Sequence, residues 1–208
     1  MSTSHNPFAQ GGWISAGSGH SRDGFWDTSG SPPSIFGALP YPSSPALPPP
    51  VPNSILFVFT EFAPSILNCT VTDNRAATVF SVATETTPRF TFVKDRDARN
   101  IAMLEWQTHP LVEVRGVVPR MEVRAWLALS QDARSRIMTV GNTRYAWAPS
   151  GSHILLYTTG TSVPAVLAKI SKTPNSVTLE LSPAALELGL LQCAIVATVL
   201  MQSGRNID

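Results

Sequence analysis

From residue 54 onward the chain is a succession of short apolar runs separated by turn residues. Ile55–Phe62 is almost continuously apolar and aromatic, the pattern of a strand buried on both faces. Thr78–Thr84 follows, then Phe90 and Phe92 alternating with Arg89, Thr91 and Lys94, and Asp95-Arg96-Asp97 reads as a turn. Asn100–Gln107 predicts the next strand. In Leu111–Arg115, Val112 and Val114 share one face, Glu113 and Arg115 the other. Met121, Val123, Ala125 and Leu127 alternate with Glu122, Arg124 and Trp126, which predicts a strand there too. Further strands are expected at Arg136–Val140, Thr143–Trp147, His153–Tyr157, Val163–Ile170 and Val177–Leu181, with Gly141-Asn142 as a tight hairpin turn. Only Ala128–Arg134 predicts a short helical turn, with Ser130 as its N-cap. A turn signal roughly every 8–12 residues is the mark of a mainly β, antiparallel sandwich or barrel.

The last element differs in kind. Ser182-Pro183 offers an N-cap followed by proline at the first helical position, and predicts a helix over 183–203. No charged residue occurs between Glu187 and Arg205, and apolar residues occupy every side of the helical wheel from Leu188 to Met201. A one-sided amphipathic helix is therefore excluded; the helix is wrapped by protein or embedded in lipid. A spanning helix needs about 20 apolar residues, and this run is shorter, so enclosure by protein is expected and no transmembrane span. A helix covered on all sides calls for roughly ten to twelve strands around it, because one sheet face cannot cover it. Arg205 and the carboxylates of Asp208 are expected to dock back at the rim, with Arg205 near the helix's last carbonyls.

Composition changes the picture at the other end. Ten of the 18 prolines, seven of the 13 glycines and eleven serines lie in residues 1–54, with only Arg22, Asp23 and Asp27 charged. Its large apolar residues follow no period. Such a stretch buries too little to offset the entropy of ordering it, so 1–53 is expected to be a disordered Pro/Gly/Ser-rich tail, and 54–208 a single domain. Leu39–Pro52 reads as extended polyproline II, a ligand type for aromatic grooves, although its P-x-x-P spacings lack a basic anchor.

The 208 residues carry a formal net charge of +1, which excludes a strongly basic nucleic-acid binder. Met1–Pro7 shows no basic segment followed by an apolar run, and Cys69 and Cys193 fit neither a disulfide framework nor zinc spacing. An intracellular, cytoplasmic location is expected, with peripheral attachment to a membrane as a variant of it.

Asn68-Cys69-Thr70-Val71, Ala102-Met103-Leu104-Glu105-Trp106, Val114-Arg115-Gly116, Ala125-Trp126-Leu127, Arg144-Tyr145-Ala146-Trp147 and Leu200–Asp208 follow one another in this order. The series resembles a fungal family, domain-of-unknown-function family 6593, over about residues 54–208. That family carries no activity to transfer. Its strand-rich body and hydrophobic C-terminal helix are similar to the tubby-like, scramblase and LURP-one group. The resemblance implies a closed antiparallel β-barrel enclosing the helix.

Candidate chemistry is sparse. A Cys69–His109 nucleophile pair is formally available, but nothing in the spacing places the two together. Catalytic elbows, phosphate loops and metal-binding motifs are missing from the sequence, so no catalytic residue, metal or cofactor is expected. Glu105 reads as a strand carboxylate facing solvent or paired with arginine. The basic residues fall in runs: Arg89, Lys94, Arg96 and Arg99; Arg115, Arg120 and Arg124; and a third at Arg134, Arg136 and Arg144. Solvated strand faces with local ion pairs account for such runs. If the loops converge, the first two runs form an anion or lipid-headgroup site, with Trp106, Trp126 or Trp147 available at a membrane interface. The sequence thus points to a non-catalytic module binding anionic phospholipid, by analogy with tubby-like folds. The alternative is a structural or protein-interaction module using the Pro-rich tail.

Overall fold

The computed structural model describes residues 53–87 and 89–208. The expected tail lies outside the described residues except for Asn53. The first half of the domain comprises β1 (Ile55–Thr60), β2 (Cys69–Thr72), β3 (Thr78–Thr84), β4 (Phe90–Asp95) and β5 (Asn100–Glu105). It continues with β6 (Leu111–Val114), β7 (Val118–Glu122) and a four-residue helix α1 (Val123–Trp126). The second half holds β8 (Leu127–Leu129), β9 (Arg136–Val140), β10 (Thr143–Ser150), β11 (His153–Thr158), β12 (Val166–Lys172) and β13 (Val177–Leu181). Helices α2 (Pro183–Glu187) and α3 (Leu191–Gln202) follow.

The 13 strands form one sheet in the order β7-β6-β5-β4-β3-β2-β1-β13-β12-β11-β10-β9-β8. Each neighbouring pair is antiparallel. Most neighbours are hairpins, and the pairing of β1 with β13 joins the two halves, with Phe57 opposite Leu179. The ladder does not close: among the described residues no pairing joins β7 to β8. The expected closed barrel of ten to twelve strands is thus replaced by a larger sheet with two edges. Those edges are consecutive in the chain, bridged only by α1. Pro119 in β7 and the three-residue length of β8 blunt both edges against further pairing.

The core is the concave side of this sheet and its occupant is α3. Every residue from Cys193 to Met201 is at 0% exposure, so no side of the helix meets solvent. It packs on the neighbouring strands β5 and β6 and on β13, well removed from them in the sheet order, so the sheet curls around it. Thr198, the polar residue of that stretch, donates its hydroxyl to the Ala194 carbonyl at 2.7 Å and so needs no outside partner.

Four sequence expectations are corrected. The helix over 183–203 is two helices, because Gly189 takes φ +69° and ends α2. Gly189 N–H donates to Leu186 O at 2.9 Å and Leu190 N–H to Ala185 O at 3.0 Å, the paired bonds of a Schellman cap. The expected cap at the start holds: Ser182 Oγ accepts from Ala185 N–H at 3.1 Å. Met121–Leu127 is not one strand. A helical turn buries Val123 and Trp126 together and exposes Ala125, whereas alternation would have turned the large indole outward. Ala128–Arg134 is not helical; Ser130 Oγ accepts from Ser135 N–H at 3.0 Å inside a turn. β1 is fully buried on one face only, with Phe57 and Phe59 inward and Leu56, Val58 and Thr60 half-buried on the other face.

Candidate functional site

On β4 the side chains that enter the core are Thr91 and Val93, which leaves Phe90 and Phe92 on the outer face. The two rings stack at 6.3 Å between centroids, inclined by 22°. Opposite Phe90 in the register lies Glu105 of β5, on the same outer face. Glu105 is nevertheless only 2% exposed, because two arginines cover it, themselves 63% and 52% exposed. Arg89 donates from Nε at 3.1 Å and from Nη2 at 2.7 Å to Oε1. Arg120, reaching from β7, donates from Nη2 to Oε2. Arg89 also lies over the Phe90 ring at 5.4 Å. The hydrogen bonds from Arg89, then from Arg120, hold the Glu105 carboxyl below the usual carboxylate range, against the opposing effect of burial.

On the core side of the same strands, Trp106 Nε1–H donates to Thr91 Oγ1 at 2.8 Å. Thr91 and Thr84 share a hydroxyl contact of 2.8 Å, and Thr84 donates to Leu67 O at 2.7 Å. Arg205 lies over the Trp106 ring at 4.6 Å. At the end of α3, Ser203 Oγ donates to Leu200 O at 2.8 Å. The final residues dock back on the domain as expected: Ile207 is fully buried and Asp208 reaches Arg136.

Of the seven basic residues expected at an anion site, Arg89 and Arg120 are brought together on Glu105. Lys94 and Arg115 line two shallow grooves on either side of Phe92, with Glu85 in one and Glu113 in the other. Arg99 pairs with Asp97 in the β4–β5 turn, where Arg96 also sits, and Arg124 of α1 pairs with Glu122. In the third run, Arg136 is wholly buried and bonds Asp208 in bidentate fashion, at 2.9 Å from Nη1 and 2.7 Å from Nη2. Trp126 and Trp147 are core side chains, and their indole N–H groups have no partner among the described residues.

Among the described residues no arrangement of groups suited to bond-making is assembled. Burial pushes the Cys69 and Cys193 thiols up to about 12, which keeps both protonated and inert at neutral pH. His153 Nδ1 lies 3.0 Å from Ser171 Oγ beside the Lys169–Glu180 ion pair, but among the described residues no carboxylate bonds the ring to orient it. Burial, and then Lys169, lower its pKa. Among the described residues no three His, Cys, Asp or Glu side chains gather to hold a metal. Among them, too, no helix is long and apolar enough to cross a membrane.

Fold and site together define a mainly β domain with an enclosed helix and an outward aromatic–basic face. The chain belongs to a family of unknown function, DUF6593, whose model matches residues 64–206. The X-ray structure of the Arabidopsis thaliana protein AT5G01750 is similar at 11% identity, covering 71% of this chain and 93% of that one with a TM-score of 0.41. A likeness of that strength carries no argument. No curated protein matches the chain.

Proposed function

We propose that this chain is a non-catalytic module that docks on an anionic membrane surface through the outer face of β4–β7. One observation carries the reading: Arg89 and Arg120 are exposed, yet fixed side by side on one carboxylate, against outward-facing Phe90. Ordered cations beside outward-facing, half-buried apolar rings are the combination that an interface of charged headgroups and acyl chains favours. Lys94 and Arg115 extend the basic character along the same face, while Arg96, Arg99 and Arg124 lie at its margins with acidic neighbours. The architecture we propose for the module is a barrel of the tubby-like kind, a sheet curled about α3 with α1 covering the gap between its edges. Such a module would be peripheral to the cytoplasmic leaflet.

Flotation of the full chain with neutral and with anionic vesicles tests the proposal. Binding to anionic vesicles alone, falling as salt rises, is the expected result. Failure to bind either population would overturn it and favour the interaction module built on the Pro-rich tail.

A further inference from the structure

We infer that the Arg89–Glu105–Arg120 clamp accepts one singly charged oxyanion, a phosphodiester, in preference to a multiply phosphorylated group; this rests on the surface reading above. Both oxygens of Glu105 are occupied, Oε1 by Arg89 and Oε2 by Arg120, so the carboxylate sets the spacing of two guanidiniums and cancels one of their two charges. One positive charge is left over. The remaining N–H groups of both arginines face solvent, since the side chains are 63% and 52% exposed. A planar guanidinium held at one edge still presents donors to an oxyanion at another.

Around the clamp, Arg99 and Arg124 each have their own carboxylate, and Lys94 and Arg115 share their grooves with Glu85 and Glu113. Within the clamp itself the excess is one charge. A phosphodiester carries one negative charge, whereas each phosphomonoester brings about −1.5 to −2. Matching one to one leaves the site neutral; a bisphosphate headgroup leaves it strongly negative beside Glu105. The stacked Phe90 and Phe92 next to the clamp supply an apolar surface of the kind an ordinary phospholipid presents behind its diester.

The test uses the full chain and two vesicle populations matched in total charge, one containing phosphatidylglycerol and the other a phosphatidylinositol bisphosphate. Tighter binding to the phosphatidylglycerol vesicles is expected, and equal binding would overturn the preference. Arg89→Gln and Arg120→Gln should each weaken it roughly five-fold, with thermal midpoints confirming that the variants fold. Glu105→Gln raises the surplus to two and should shift the preference towards the bisphosphate. Tighter binding of the bisphosphate by the unaltered chain would overturn the inference. A soluble glycerophosphodiester separates the two readings through the arginine Nε–H resonances. If these move for Arg89 and Arg120 while no vesicle is bound, the clamp stands and the membrane reading falls. If vesicles bind while those resonances and both substitutions are silent, the clamp is wrong and the surface reading stands.

Discussion

Asp208→Asn is the most informative single change, because the carboxylate it neutralises holds a guanidinium from which water is shut out. Arg136 is at 0% exposure and Asp208 at 23%, and two bonds of 2.9 and 2.7 Å join them in the bidentate geometry that arginine and a carboxylate favour. Arg136 Nη1 also donates to Leu127 O at 3.0 Å, which fixes the start of edge strand β8. Removing the negative charge takes the Asp208 side-chain counter-charge from a buried cation, a loss of about 3–5 kcal/mol for a fully enclosed pair. Partial exposure of Asp208 places the expectation near the lower figure, about 3 kcal/mol.

For a domain of this size about 2–4 °C of melting temperature accompanies each kcal/mol, so the midpoint should fall by roughly 6–12 °C. Deleting residues 203–208 should cost more, since fully buried Ile207 leaves with the carboxylate. Thermal and urea unfolding of the full chain would read both changes. The pair Arg136→Met and Asp208→Leu, alone and together, completes a double-mutant cycle. The double variant should lose much less than the sum of the singles, since a well-packed apolar pair replaces a buried ionic one at little cost. An Asp208→Asn midpoint within about 1 °C of the unaltered chain, or a strictly additive cycle, would refute the reasoning.

Four further outcomes are expected. Gly189→Ala forces a side chain into φ +69° at the α2–α3 junction and should lower stability by about 1 kcal/mol, read by urea unfolding, although open space surrounds the position. Ile195→Ala in the enclosed helix should cost about 2–5 kcal/mol by the same measurement, as the surrounding strands cannot collapse onto the void. Glu105 contributes stability that is complete above its unfolded value of 4.5 and is lost as pH falls through its lower folded value. Stability should therefore decline on acidification in that window, and less steeply in Glu105→Gln. Both thiols, pushed up to about 12, should resist a thiol reagent at pH 8 until denaturant is added; rapid labelling of the folded chain would contradict their burial.

What was legible in the sequence follows from which forces act locally. Val112 and Val114, Arg136–Val140, Thr143–Trp147 and the Gly141 turn were readable because alternation and positive φ are written into adjacent residues. An apolar wheel from Leu188 to Met201 implied enclosure, and Cys193–Met201 of α3 are fully buried, whereas Leu188, ahead of α3, is exposed. Residues 121–127 misled because Val123, Ala125 and Leu127 alternate well enough for a strand. Burying Trp126 in place of Ala125 is worth more than continuing the ladder, and only the packing reveals that. In β4 alternation alone did not say which set points inward: the aromatic residues face out, and Thr91 is buried, accepting the Trp106 indole N–H. The candidate site shows the same division. Arginine runs were visible in the sequence, but a run cannot say which members share a carboxylate. Glu105 joins residues 16 positions before it and 15 after it, from the turn leading into β4 and from β7, so the pairing is a property of register across β4–β7. That register selects Arg89 and Arg120 from the basic residues and leaves them one charge in excess, the smallest feature on which the proposed recognition depends.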